Sequence, residues 1–351
     1  MKKYRTLPAV IVLAVALLML LNPENPRWIS LVLLALAAVL VIWASRGTFT
    51  FSKANRIISQ RKPGFLDKAL HLYEKAVDEG VPEQYELVAG TLLIQYGNME
   101  KGKEILESLL SSREKKMVFQ AKEGLSMYYW IKKDTKKAIA LCEEAKAMGL
   151  KDKNLYINLG TYYLSENRIH DFRLLIKESY KLKMDSPALI DMQAAAAIIQ
   201  GDYAKAGNLL KTVFDSLTPS YVDPYIHYAM VYMYYRQPEL ALDYLRKSLE
   251  ACSFSNTSIL SREEIEKMIG CLENKDSVWA FIKSAEKNPL MLINGKLPEY
   301  TGEDNTRPEV RDLPLFKAEA IEKNDLAERD ENEPDTSLNE EDEEWLRRHN
   351  N

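Results

Sequence analysis

Cysteine is nearly absent from this 351-residue chain: Cys142, Cys252 and Cys271 share no C-x-x-C spacing. That excludes a disulfide framework and a zinc ribbon, and all three read as small buried hydrophobes. Histidine is equally scarce. His71, His170, His227 and His349 are dispersed without H-x-x-x-H or H-E-x-x-H spacing, so no local set of metal ligands is written. His227, beside Tyr228, is the least ordinary of the four and reads as structural. No G-x-S-x-G nucleophile elbow is present. Gly97 to Glu104 matches G-x-x-x-x-G-K, but Glu104 stands where a phosphate loop needs a hydroxyl for magnesium. The segment also follows a predicted helix rather than a strand. A dense cationic face is missing too, because residues 51–298 hold 35 basic and 32 acidic residues. Nucleic-acid binding is thereby disfavoured. Neither a cofactor, a metal nor a small-molecule substrate is indicated, and the chain is not expected to be an enzyme.

Long apolar runs are present, and they are confined to the N-terminus. Leu7 to Leu21 and Trp28 to Trp43 are uncharged, and Asn22 to Arg27 between them is rich in helix-ending residues. The expectation is a transmembrane helical hairpin over residues 1–47, with spans at about 5–22 and 28–45. Trp28 and Trp43 flank the second span as interface aromatics do. Lys2, Lys3 and Arg5 precede the first span and Arg46, Lys53 and Arg56 follow the second. The positive-inside rule then puts both ends and everything after residue 47 in the cytoplasm, on a plasma or inner membrane. A signal peptide is the competing reading, weakened by the lack of a small-x-small cleavage site. Neither span carries an ionisable residue at its centre, so the hairpin reads as an anchor rather than an ion path.

Between residues 51 and 255 the chain repeats itself. Ala69, Gly102, Ala138, Phe172, Ala206 and Ala241 are separated by 33, 36, 34, 34 and 35 residues. Twelve before them lie Ile57, Gly90, Ser126, Gly160, Ala194 and Ala229, mostly small; four after them lie Tyr73, Leu106, Cys142, Ile176, Leu210 and Leu245. Such a pattern specifies helix hairpins crossing closely at small residues, with larger ones filling the gap to the next hairpin. Turn signals at Gly97-Asn98, Lys133-Asp134, Glu166-Asn167, Gly201-Asp202 and Gln237-Pro238 separate the two helices of each. The run Tyr156-x-x-Leu159-Gly160-x-x-Tyr163, and Tyr225-x-x-Tyr228-Ala229-x-x-Tyr232 followed by Ala241 and Leu245, resembles the tetratricopeptide repeat (TPR) family. The fold expected is therefore all-α: a TPR-like α-solenoid of about six hairpins. Phe172 departs from the small consensus, and the first unit has a poor first helix. Ser261, with Glu264 as capping box, opens further helices over 256–297 that are expected to cover the end of the stack.

The TPR resemblance implies a concave groove lined by first helices. Its phases fall on Met127, Trp130, Ile131, Thr161, Leu164, Ile198, Met230, Met233 and Tyr234, with Asp191 and Ile226 also on that face. A Met-rich apolar groove suits a peptide or helix of a protein partner. The plainer reading makes Trp130, Ile198 and Met233 core between neighbouring hairpins. From Glu299 onward 18 acidic residues stand against 7 basic ones, a net charge of −11. Residues 298–351 are thus expected to be a disordered acidic tail, ending in a candidate docking pair, Trp345 and Leu346. The function expected is a membrane-anchored scaffold or adaptor whose partners are a protein and the lipid bilayer. The alternative is a regulatory or assembly subunit of a membrane enzyme, recognised through its hairpin.

Overall fold

A computed structural model of the protein describes residues 7–21, 26–60, 64–301 and 305–312, which form sixteen helices and no strand. The chain divides into two compact bodies after Gly124, within helix α6 (Lys115–Ile131).

The first body begins with α1 (Leu7–Leu21) packed along α2 (Arg27–Gln60). Their buried residues are small and seven apart: Ala9 and Ala16 on α1, Ser30, Ala37 and Ala44 on α2. A seven-residue interval keeps them on one face, and the lack of bulk lets the two backbones approach. Their larger neighbours point away, Leu18 being 69% and Leu21 80% exposed. By length and composition α2 can cross a membrane, whereas α1 is apolar but only 15 residues long.

Helix α2 does not stop where the apolar run ends. It continues to Gln60, so the second span and the first repeat helix, expected as separate elements divided near residue 47, are one helix. No proline interrupts Ala44 to Phe51, and the buried stripe runs on through Phe51 and Ala54. There α3 (Phe65–Glu79) takes over from α1 as the covering helix. Phe51 stacks on Tyr85 of α4 (Glu83–Tyr96) at 4.5 Å and meets Tyr73 edge-on at 5.0 Å. Gly47 explains how α3 comes so close: a Cβ there would lie 2.3 Å from the Gly80 carbonyl oxygen and 2.8 Å from that of Ala76. In the next hairpin the aligned small positions Gly90, on α4, and Gly102, on α5 (Met99–Leu109), face each other. Gly97 to Glu104, the phosphate-loop imitation, is the turn and first residues of this hairpin.

In the second body the hairpins are α8 (Lys153–Ser165) with α9 (Ile169–Lys181), α10 (Pro187–Ile199) with α11 (Tyr203–Ser216), and α12 (Asp223–Tyr234) with α13 (Pro238–Ala251). Before them α7 (Thr135–Ala147) packs on α8. First helices α8, α10 and α12 stack in a row. The aligned small residues Ala138, Ala194, Ala206, Ala229 and Ala241 are all fully buried. Phe172 is buried in place of a small residue because Gly160 opposes it: a Cβ on Gly160 would be 3.4 Å from the Phe172 ring. The backbone repeats as well. Lys133, Asn167, Gly201 and Arg236 occupy the same point of four successive hairpin turns with φ of 63°, 57°, 80° and 63°. Side chains of Asn98, Asp134 and Asp202 cap the second helices that follow, each accepting from a backbone N–H three residues on.

The C-terminal part does more than end the stack. Ser261 and Glu264 form the reciprocal capping box of α14 (Arg262–Glu273), which packs on α13. Then α15 (Val278–Lys287) turns back onto α12, and the short α16 (Pro289–Ile293) rests on α10 and α8. Residues 298–301 and 305–312, expected as the start of a disordered tail, lie against α15 without helix or strand. Asn305 Oδ1 accepts from Trp279 N–H at 2.8 Å, its Nδ2 donates to the Lys275 carbonyl, and Ser284 donates to the Glu299 carbonyl at 2.7 Å. A cap supplied from 26 residues away is invisible to local sequence rules. Residues 313–351, including Trp345 and Leu346, lie outside the described residues.

Replacing Gly102 by valine sets side-chain carbons against the Gly90 carbonyl and Ile94, where even a Cβ would sit at 2.7 and 2.8 Å. The expected loss is about 1–3 kcal/mol of stability, read as a lower thermal midpoint. An unchanged midpoint would contradict this close crossing.

Candidate functional site

The inner row of the second body is where the sequence places its groove, and that row is covered. Met127, Trp130, Leu164, Ile198, Met230 and Met233 are buried, while Ile131, Thr161 and Tyr234 are half-buried. Part of the covering is repeat against repeat: Trp130 packs on the Tyr162 ring at 5.3 Å, and the Thr161 hydroxyl lies 3.4 Å from Met192 Sδ. Trp130, Ile198 and Met233, which the plainer reading makes core, are among the buried ones. The remainder is covered by the chain's own C-terminal segment. Between α12 and α15 lies a cavity of about 10 Å³, lined by Tyr203, Met230, Met233, Tyr234, Ile282 and Glu286, about the room of one water. Further along, Asn294 Nδ2 donates to the Ser165 carbonyl at 3.0 Å, joining α16 to α8 across 129 residues.

An ionic clamp fixes this cover. Glu286 on α15 receives Arg236 on one carboxylate oxygen and Arg311 on the other, both at 2.6 Å. Arg236, from the left-handed turn after α12, is buried, and that carboxylate is the charge paired with it. Arg311 also donates to the Tyr234 carbonyl at 3.2 Å and lies 3.9 Å over the Tyr234 ring, which stacks on Tyr203 at 3.8 Å. Two groups so close to one ring must hold its opposite faces. Burial, reinforced by Glu286, pushes the Tyr203 hydroxyl well above its ordinary range. Sequence reasoning found Tyr234 but missed Arg236, Glu286 and Arg311. Glu286 and Arg311 lie 25 residues apart in segments with no shared periodicity, so no local pattern announces them.

A second polar cluster lies between α10 and α12. His227 Nδ1 and Asp191 Oδ1 are 2.8 Å apart, and both side chains are 3% exposed. The structure thus pairs Asp191, which the groove phase had placed on that face, with His227, which the sequence reads as structural. Burial pulls the imidazole down, but the charge of Asp191 and its hydrogen bond, with Asp223 behind, raise it overall. Asp223 is pushed up to about 6 by burial first and by Asp191 second. His227 Nε2 and the Tyr221 hydroxyl are buried without a hydrogen-bond partner among the described residues. The pair therefore ties two helices together inside the stack. Burial, then Asp223, also pushes the Cys252 thiol up to about 12, which leaves it a poor nucleophile. Among the described residues no group of three or more His, Cys, Asp or Glu is arranged to hold a metal ion.

No protein-family model matches the chain, and no curated protein is similar to it at a significant level.

Two outcomes follow from this geometry. Glu286→Ala leaves Arg236 buried without its carboxylate, at a cost of about 1–3 kcal/mol, so α15 should loosen and trypsin should cut at Lys283 and Lys287 faster than in the parent. Equal cleavage would mean the clamp does not hold the cover. The second outcome concerns pH. A raised Asp223 loses its stabilising protonated form between 3.8 and about 6, and a raised His227 gives stability that is lost as pH climbs above 6.5. Thermal stability should thus fall with rising pH above 6.5, and less steeply in His227→Gln. Parallel profiles for the two proteins would contradict it.

Proposed function

We propose that the protein is a membrane-tethered, non-catalytic TPR-class scaffold that docks a helical segment of a protein partner along the row α8, α10 and α12. One observation carries this reading: the row already holds helices, with α15 packed on α12 and α16 on α10 and α8. A surface that accepts an apolar helix with a carboxylate between two arginines suits a partner helix of the same chemistry. The row's Met230 and Met233 adapt to such a ligand. In the resting molecule α15 and α16 stand in for it. Helices α1 and α2 are the two-span anchor, and the cations Lys2, Lys3, Arg5 and Arg46 put both ends on the cytoplasmic side. Tethering raises the partner's effective concentration at the bilayer without catalysis.

A second reading, a subunit recognised through its hairpin, draws support from the α1–α2 seam. It buries only small residues and leaves Leu13, Leu17 and Leu20 outward, for lipid or for another span. Swapping the hairpin for an unrelated two-span anchor separates the two, since only the scaffold survives it.

The test is photo-crosslinking in native membranes from a probe replacing Met233, in the full chain and in its Arg311→Ala variant. The account expects one discrete adduct, several-fold stronger when Arg311 no longer secures α15. Equal, diffuse labelling in two folded proteins would count against a docking row.

A further inference from the structure

The first body carries exposed cations far along the chain from its apolar N-terminal helices. Trp28 to Trp43 is 16 residues, about 24 Å of helix, against a hydrocarbon core of about 30 Å. A span that short either thins the bilayer or draws its flanks into the headgroups. The flank here is no loose linker, because α2 continues unbroken into the first repeat hairpin. Arg46 folds its guanidinium back over the Trp43 ring at 5.1 Å, and Phe49, one turn further, is 63% exposed.

What lies level with Arg46 and Phe49 is set by hydrogen bonds and close contacts. Gly47 abuts the carbonyl of Gly80, and Thr50 donates to Glu79 at 2.5 Å, so the α3–α4 connection sits at the height of Gly47. Ser112 donates to Glu83, the first residue of α4. That brings the α5–α6 connection to the same edge. There Leu110 is exposed, and Arg113, Lys115 and Lys116 are exposed cations. The nearby carboxylates are Glu79, taken by Thr50 and lying 3.9 Å from Lys75, Glu83, taken by Ser112, and the exposed Glu114.

We propose that this edge, with Arg46 and Phe49 on α2, Leu110 and Arg113 on the α5–α6 connection and Lys115 and Lys116 at the start of α6, binds the anionic phospholipid headgroups of the leaflet at which the apolar run Trp28 to Trp43 ends. The proposal rests on α1 and α2 being the membrane anchor. Continuity with the span and complementary charge single out lipid as the occupant: cations near an anionic leaflet are attracted within a Debye length, and Leu110 and Phe49 suit the interface. Such a contact fixes the angle of the first repeats to the membrane, which one helix alone leaves free.

The experiment is amide hydrogen exchange on the full-length chain in nanodiscs of phosphatidylcholine, without and with phosphatidylglycerol. Protection of residues 7–21 and 28–43 in both reports the anchor separately. With the anionic lipid, amides 111–118 should exchange roughly fivefold slower, the factor one cation near an anionic leaflet supplies, while those of the Gly97-Asn98 turn stay unchanged. The triple variant Arg113→Glu, Lys115→Glu, Lys116→Glu should lose that slowing while amides 89–94 of α4 stay as protected as in the parent. Equal rates at 111–118 in the two lipids, with the anchor protected, would overturn the proposal and leave the anchor standing. Unprotected α1 and α2 would overturn both.

Discussion

Everything in this protein depends on helices crossing where there is almost no side chain. At Gly47 a single methyl group would collide with two carbonyl oxygens, and at Gly102 with a third and with Ile94. At Ala138, Ala194, Ala206, Ala229 and Ala241 the methyl group is fully buried. Because helices interlock through larger residues one turn away, such as Leu106, Cys142, Leu210 and Leu245, removing volume at one point commits the neighbours to fill space at the next. The seam of α1 on α2 obeys the same constraint with Ala9, Ala16, Ser30, Ala37 and Ala44. One rule thus runs from the apolar N-terminus into the repeats without a change of helix.

The inner row inherits a consequence. Stacked first helices present an apolar face that water penalises, and in the second body this face is closed by α15 and α16. The closure has a charged fastening rather than a purely apolar one. Arg236 is buried and tolerable only while Glu286 is in place, and Glu286 in turn holds Arg311 over Tyr234. A fastening of this kind is weak as a source of net stability and strong as a determinant of which segment lies where. That is the property the proposed docking function needs of a segment that covers its surface.

The repeats were legible because their signal is periodic. Small residues near a 34-residue spacing, and turn residues such as Gly201-Asp202, state a helix hairpin at each occurrence. Side-chain burial at Ile198 and Met233 was legible too, as the plainer of two readings of an apolar phase. The helix of the second apolar run extends beyond that run because apolarity stops at Ala44 whereas helicity does not. Composition marks where a bilayer is favourable, and only packing against α3 shows that the helix goes on. The role of residues 278–312 was hidden for another reason. Glu286, Asn294, Asn305 and Arg311 act on partners between 25 and 129 residues away, and an acidic, proline-bearing composition gives the same local signal whether or not a few side chains find fixed partners.

The central claim is that the chain's own C-terminal segment occupies the row α8, α10 and α12. Distances between paired spin labels, one on Lys287 of α15 and the other on Lys153 of α8, measured on the full-length protein, test it most directly. The account predicts a single narrow distribution that broadens when Arg311 is replaced by alanine. A broad distribution in the parent protein, unchanged by that substitution, would mean the segment does not rest on the row.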